Sequence, residues 1–527
     1  MYVLSLPASC WYTGTIMKKR DLLARAAPYY TEDQLHKLEH AIDFATSAHE
    51  GQKRLSGEPY IIHPLAVAST LIEWSMDIDT VLAGILHDTV EDTDATLETI
   101  EKLFGHDVAF LVDGVTKVSQ ARAGMRNLES YLPQTKDNLS KLLIAVGQDV
   151  RVIIIKLADR LHNVSTLQYM DKSKQLKIAR ESLEVFAPMA DRLGMGQVRM
   201  QLEELAFSYL DTREFKRLKN VMKKRLGKST RKLGIVRQEV EQELKKQQIE
   251  AEIDGRVKSI YSLYKKLKKV DGNIDDIYDL MALRIIVSDK DECYKVLGVL
   301  HALYQPMISR IKDYIAVPKP NGYQSLHTTV ITPTKQIVEF QIRSRDMHNY
   351  AERGLAAGFH YHERKDAKDY ARGHHTSSLP AQLQWITQLQ EIAARLRSGA
   401  EISEDQLNVD LFGNRIFVYS PKGDIYNLPE GALPLDFAFL VHSDIGRHAY
   451  SFQVNGSIHP FDKPLHNGDI VEVVTRRMST PKQAWLDLVK TGHAREKLRS
   501  QLKKLNLIDT LTGAANIIRQ KTLRKKK

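Results

Sequence analysis

The sequence predicts a multidomain α and α+β protein. It has an all-helical first third, a mixed helix-and-strand middle, and a small β-rich module followed by a basic tail. Three observations lead there. From Thr31 to about Gly194, apolar residues recur at helical spacing. Near Ile249 the pattern changes to short alternating runs set between helices. From Asp410 onward, two hairpin signals frame a short helix. With 527 residues the chain is long enough for several cores, and 43% hydrophobic with 27% charged residues is ordinary for a globular protein.

Charge and cysteine usage narrow the function classes. The net charge of +11 suits polyanionic partners such as nucleotides or RNA. Cys10 and Cys293 stand far apart, which excludes a disulfide framework or a cysteine zinc site within one chain and fits a reducing cytoplasm. No apolar run approaches the ~18 residues that a membrane span needs. Residues 1–30 read as a leader, with a second start at Met17; the basic Lys18-Lys19-Arg20 follows the apolar part, the reverse of a secretory signal.

Residues 31–196 form the first predicted domain. Thr31-Glu-Asp-Gln34 has capping-box form, and Leu35, Leu38, Ala41, Ile42 and Ala45 follow at helical spacing. A glycine-punctuated loop, His49 to Tyr60, leads into Ile61-Ile-His-Pro64, where the proline predicts a helix start after His63. The stretch His87-Asp-Thr-Val-Glu-Asp-Thr93 follows the apolar run Val81–Leu86. If that run continues as a helix, His87 and Glu91 stand one turn apart, as do Asp88 and Asp92. Alone, such a group reads as an exposed acidic turn. With His63 and with Asp159 of Val152–Asn163, it offers two imidazoles and two carboxylates, a mixed set that suits manganese, zinc or iron. Asp159 alone reads equally well as half of a salt bridge to Arg160.

Residues 197–248 read as a charged helical linker. Residues 249–363 form the next domain. Ala251–Asp254 is strand-like, and a basic helix is expected from Gly255 to Lys269. Asp275 to Val287 runs into an apolar strand, and a helix carrying Cys293 follows to about Tyr304. Pro318, Pro320 and Gly322 predict a rigid loop presenting Lys312, Lys319, Asn321, Tyr323 and His327, a combination of charge, hydrogen bonding and aromatic face that a purine nucleotide needs. In Ile337–Arg343, alternation puts Glu339, Gln341 and Arg343 on one face and Val338, Phe340 and Ile342 on the other; the polar face reads as a catalytic surface or, on an edge strand, as a wet one. Residues 364–407 read as a linker helix after a polar loop containing His374-His375. Residues 408–476 form a β-rich module, and residues 477–527 a helical segment and basic tail.

The motifs RLSGEPYIIHP, GILHDTVEDT and IKLADRLHN resemble the HD-type hydrolase domain of RelA/SpoT-type stringent factors. The middle segments resemble that family's α/β nucleotidyltransferase-like synthetase domain, and residues 408–476 its small β-grasp TGS domain. The likeness runs from Asp21 to Leu505, and the chain then stops without the zinc-finger and ACT domains of long members. It implies a bifunctional cytoplasmic enzyme of the stringent response. One activity transfers pyrophosphate from ATP to the 3′-hydroxyl of GDP or GTP, as a GTP pyrophosphokinase; the other removes it from (p)ppGpp as a 3′-diphosphatase. The alternatives are a chain that is mainly a hydrolase, or a ribosome- and tRNA-binding factor.

In the hydrolase the resemblance implies Mn2+ held by His63, His87, Asp88 and Asp159, with Glu91 and Asp92 activating water and Arg54, Ser56 and Asn163 contacting nucleotide. Leu55 departs from the basic residue that members often place there. In the synthetase it implies Mg2+ held by Asp279 and Glu339, Glu339 also activating the hydroxyl. It places Arg256 on adenine, Lys258, Ser259 and Lys265 on the ATP phosphates, Tyr323 on guanine, and Lys319, Asn321 and His327 around the acceptor. Arg310-Ile-Lys-Asp313 has the basic RxKD form of bifunctional members, which adds Arg310 and Lys312 to the nucleotide-binding set. In the TGS module His442 matches a histidine implicated in contact with uncharged tRNA on the ribosome.

Overall fold

A computed structural model describes residues 17–123, 149–268, 281–319, 321–356 and 415–504, divided between two compact units that part near Gly399. The leader, the residues around His374-His375 and the basic tail, all singled out above, lie outside the described residues, as do Cys10 and Asp279.

The first part of the larger unit is helical. Thr31 caps the helix Glu32–Ala48 as a capping box with Gln34, as the sequence predicts. The helix Ile62–Glu73 starts before His63, so the histidine sits inside its first turn and Pro64 occupies a position whose missing N–H costs nothing. The helix Ile78–Leu86 is buried from Thr80 to Leu86 because, after its first-turn Asp79 and Thr80, it is apolar all round. It ends at Leu86, and a separate short helix, Thr89–Asp92, begins after Asp88. The expected continuous helix is therefore broken at the His87-Asp88 pair. The Asp92 N–H still bonds the Asp88 carbonyl at 2.9 Å, so these two acids do remain one turn apart. The helix Arg151–Ser165 runs through the core with Val152, Ile153, Ile154, Ile155 and Leu157 buried.

Two helices, Gly196–Leu210 and Thr212–Lys246, lead to a six-stranded sheet. Its strands are β1 (Glu252–Val257), β2 (Met281–Val287), β3 (Gln305–Pro306), β4 (Lys312–Asp313), β5 (Leu326–Ile331) and β6 (Ile337–Ser344). The order is β1-β2-β6-β5-β3, with β4 also on β5; β2 and β6 are parallel and the other pairs antiparallel. β6 is thus a central strand, not an edge. Its Val338, Phe340 and Ile342 enter a core with Cys293, Val296 and Leu300 of the helix Lys290–Leu303 and Val236, Val240 and Leu244 of the long helix. Cys293 is buried there, its thiol pushed up to about 12 by desolvation. The expected basic helix starts later than its pattern suggests. Gly255 and Arg256 belong to β1, and Ser259 caps a helix that begins at Ile260.

The smaller unit pairs β7 (Arg415–Tyr419) with β8 (Ile425–Pro429), and sets β9 (Ala449–Val454) between β10 (Ser457–His459) and β11 (Val471–Thr475). The helix Pro434–Val441 packs Leu435, Ala438 and Phe439 against Phe452 and Trp485. Asp436 is the polar pin of this core. Its carboxylate accepts from the backbone N–H groups of Leu433, Lys490 and Thr491.

Within the larger unit one backbone contact ties helices to sheet. Gly194 (φ +72°) and Gly354 (φ +59°) lie against each other, and Leu355 N–H donates to the Leu193 carbonyl at 2.9 Å. A Cβ on Gly354 would strike the Leu193 carbonyl oxygen, whereas one on Gly105 (φ +97°) meets open space. Gly105→Ala should therefore lose only conformational strain, about 1–3 kcal/mol. Gly354→Ala should lose visibly more, because the strands of backbone must also move apart. Thermal melts of the two variants check this, and equal losses would contradict it.

Candidate functional site

Two clusters of chemistry-bearing side chains lie in the larger unit. In the first, the buried faces of three helices converge. His63, His87 and Asp88 offer ligand atoms that all lie within 4.8 Å of one another and could hold a metal ion. His87 Nε2 is 3.0 Å from Asp88 Oδ1, and His63 Nε2 is 3.5 Å from Asp88 Oδ2. Asp159 joins at the edge, its Oδ1 3.3 Å from His63 Nε2, while its Oδ2 lies 2.6 Å from the buried ammonium of Lys156. The partner of Asp159 is thus Lys156; Arg160 pairs instead with Glu181 at 3.2 Å.

The donor set fits a cation. His87 Nδ1 lies 2.9 Å from the Gly84 carbonyl and donates to it, so Nε2 carries the lone pair. That Nε2 is buried without a hydrogen bond. A buried acceptor facing carboxylates is costly unless a positive ion meets it. Burial lowers the pKa of His63, keeping it neutral and able to ligate. For Asp159, burial opposes ionisation, but the Lys156 ammonium beside it holds it well below the usual carboxylate range.

Around this cluster the sequence motifs assemble, with additions that sequence reasoning missed. Tyr60 donates to Asp88 Oδ2 at 2.9 Å and also lies 2.8 Å from Asp92 Oδ2, spanning both acids. Burial and those carboxylates raise its own pKa. Arg54 donates to Asn163 Oδ1 at 3.0 Å, and Asn163 in turn donates to Asp159. Ser56 donates to Glu58 at 3.0 Å within the loop, and Leu55 is exposed. Glu91 is half-buried on the short helix Thr89–Asp92. Lys156 and His162 flank Asp159 at three residues either side, the one signal that marked them as its neighbours on a helix.

The second cluster lies on the polar face of β6. Glu339 receives Lys258 Nζ at 3.3 Å and Gln341 Nε2 at 3.1 Å, and His327 Nδ1 lies 3.7 Å away. Arg256 donates to Gln341 at 2.8 Å. The face is assembled by register: Thr329 of β5 and Ala282 of β2 flank Glu339, and His327 pairs with Gln341. Tyr323 Oη and His327 Nε2 are 2.9 Å apart, and Lys319 Nζ sits 5.1 Å from the Tyr323 ring centroid. His327 lies on β5, not in the loop expected for it. Asn321 leaves this group and donates to Asp191 at 3.2 Å. Lys265 is held by Glu203 at 2.8 Å, Ser259 caps its own helix through Ser262 N–H, and Arg310 and Lys312 are exposed. In the smaller unit His442 is 65% exposed, between two helices.

Comparisons with known proteins match three stretches of the chain. An HD-domain model matches residues 41–196, a model described as a region found in RelA / SpoT proteins matches 255–366, and a TGS-domain model matches 416–475. A GTP pyrophosphokinase of Myxococcus xanthus is 41% identical over 90% of this chain and 61% of its own length. A guanosine-3′,5′-bis(diphosphate) 3′-pyrophosphohydrolase of Aquifex aeolicus is 41% identical, covering 93% of this chain and 68% of that protein. The bifunctional (p)ppGpp synthase/hydrolase SpoT of Escherichia coli is also 41% identical, covering 92% of this chain and 67% of its own length. The chain therefore spans about two thirds or less of these relatives.

The electrostatics of the β6 face give a pH dependence. Burial pushes His327 down to about 3 against the pull of Glu339, and burial with Arg343 nearby pushes His348 down to about 4. Both are neutral when folded and gain protons when unfolded below their ordinary 6.5. Their contribution to stability is therefore complete above that pH and is lost as the pH falls. Glu204, raised to about 7 by burial, opposes them between 4.5 and 7. Two groups outweigh one, so the melting temperature should fall on acidification from about pH 7 to about pH 4. A rise over that range would contradict the burial of both histidines.

Proposed function

The chain belongs to the RelA/SpoT family, and we propose that it is a bifunctional alarmone enzyme, making (p)ppGpp at the β6 face and hydrolysing it at the helical cluster. The observation that carries this reading is the presence in one chain of both assembled groups, His63–His87–Asp88 and Lys258–Glu339–His327.

For hydrolysis, His63, His87, Asp88 and Asp159 would hold a divalent ion, taken as Mn2+ from the family resemblance; their mixed imidazole and carboxylate set accommodates it. Such an ion polarises the phosphate ester and acidifies water. Asp92, with Glu91 beside it, accepts the proton of the attacking water. Tyr60 stands between that acid and Asp88, its hydroxyl 2.8 Å from one and 2.9 Å from the other, so its single proton can serve either. Arg54, Ser56 and Asn163 receive the nucleotide. Water oxygen bonds to phosphorus, the bond between that phosphorus and the 3′-oxygen breaks, and the guanosine nucleotide leaves with its 3′-hydroxyl restored and pyrophosphate released.

For synthesis, Glu339 takes the proton of the 3′-hydroxyl of GDP or GTP. The freed oxygen bonds to the β-phosphorus of ATP, and AMP leaves as the bond between the α- and β-phosphates breaks. Glu339 and Asp279 hold Mg2+, which neutralises phosphate charge. Lys258 adds its ammonium beside Glu339, with Lys265, Ser259, Arg310 and Lys312 completing the phosphate and nucleotide contacts. Arg256 stacks on adenine and Tyr323 on guanine, with Lys319, Asn321 and His327 around the acceptor. Residues 408–476 add a contact to uncharged tRNA on the ribosome through His442, whose exposure leaves it available. Among the described residues no helix is long and apolar enough to cross a membrane, and we place the enzyme in the cytoplasm.

Separate mutation tests the two halves. Asp88→Ala should lower ppGpp breakdown in Mn2+ by about 100-fold or more while synthesis from ATP and GDP persists. Glu339→Gln should do the reverse. Loss of neither activity, or loss of both in each variant, would defeat the assignment of two independent sites.

A further inference from the structure

The two imidazoles of the helical cluster are braced differently. His87 Nδ1 rests on a backbone carbonyl, that of Gly84 at 2.9 Å, a common outer partner for a ligating histidine. His63 Nδ1 instead lies 2.8 Å from Nδ1 of His162, with the ring centroids 4.8 Å apart. One of these two nitrogens must donate and the other accept. A third group decides which. Arg54 Nη1 lies 3.3 Å from the same His162 Nδ1, and a guanidinium has only donors to offer. His162 Nδ1 is therefore the acceptor, and the proton between the rings sits on His63. That leaves the His63 lone pair on Nε2, the atom facing Asp88 and Asp159.

We propose that His162 is a positioning residue of the metal centre, its Nδ1 lone pair holding His63 in the tautomer and ring orientation that presents Nε2 to the ion. The proposal rests on the metal-dependent reading above. His162 is 4% exposed and lies on the Asp159 helix, one turn along, so the same rigid element supplies a ligand and the brace of another ligand. Two donors converge on one lone pair, and the shorter contact is the one from His63.

The test is Mn2+ titration of the purified full chain, with free Mn2+ followed by its paramagnetic resonance signal. The Asp88→Ala variant defines binding outside this site. His162→Leu should weaken the site by about 10–100-fold, the usual effect of losing such a partner. His162→Asn, whose side-chain oxygen reaches the Nδ1 position, should retain most of the affinity; His162→Gln, which is longer, should not. The loss of hydrolysis in His162→Leu should be recovered at high Mn2+. If His162→Leu fails to fold, the Asn and Gln variants carry the comparison. Binding in His162→Leu equal to that of the unsubstituted chain, or Asn no better than Gln, overturns the proposal. Equal Mn2+ binding by the unsubstituted chain and Asp88→Ala removes the metal-dependent reading itself, and the proposal with it.

Discussion

A lysine ammonium buried against a carboxylate sets the terms for the helical half of this protein. Lys156 and Asp159 are 2.6 Å apart, with side chains only 4% and 5% exposed, in a helix that also buries Val152, Ile153, Ile154, Ile155 and Leu157. Placing two imidazoles and several carboxylates in such a core is costly, and a buried charge persists only when it is paired. Lys156 pairs one acid without occupying the oxygen that faces His63. Tyr60 bonds Asp88 through a neutral donor at Oδ2, the oxygen near His63, and leaves Oδ1, beside His87, to the cluster. The cluster is thus held open toward a cation by neighbours that satisfy its outer atoms.

The sheet half solves a related problem with topology. β6 is paired on both sides, so its apolar face is buried against two helices and its polar face is rigid. Glu339, Gln341 and Arg343 therefore keep fixed spacing, and Lys258 at the end of β1 and His327 on β5 are brought to them by register. The backbone contact of Gly194 with Gly354 joins this sheet to the helices that carry the other cluster. Arg353, the residue before that glycine, donates to Ser75 of the helical half at 2.8 Å. The two halves of the larger unit therefore meet directly, through backbone at one point and a side-chain hydrogen bond at another.

Much of this was legible in the sequence, for identifiable reasons. Alternation along Ile337–Arg343 fixed the two faces of β6, because side-chain direction in a strand depends only on parity. The Thr31 capping box and the second of the hairpin signals after Asp410, which forms at Asn455-Gly456, were equally local. Local pattern failed where tertiary contacts decide. The helix breaks at His87-Asp88, although the residues on both sides have helical spacing. Arg256 extends a strand, despite the basic helical pattern around it, because β2 pairs with it. Lys156 and His162 stand in a motif read for its aspartate and asparagine, and only the packing of three helices shows what they touch. His162 and His63 are 99 residues apart in the chain, a distance that no periodicity spans.

The most direct measurement follows one preparation of the purified chain through both reactions. ATP and GDP are supplied with Mg2+, the nucleotides are resolved by chromatography, and Mn2+ is then added after ATP is exhausted. Two active sites in one molecule predict a 3′-pyrophosphorylated guanosine nucleotide with an equal yield of AMP, followed by its return to GDP with release of pyrophosphate. Failure to form that product, or a product that persists unchanged after Mn2+ is added, would contradict a bifunctional enzyme.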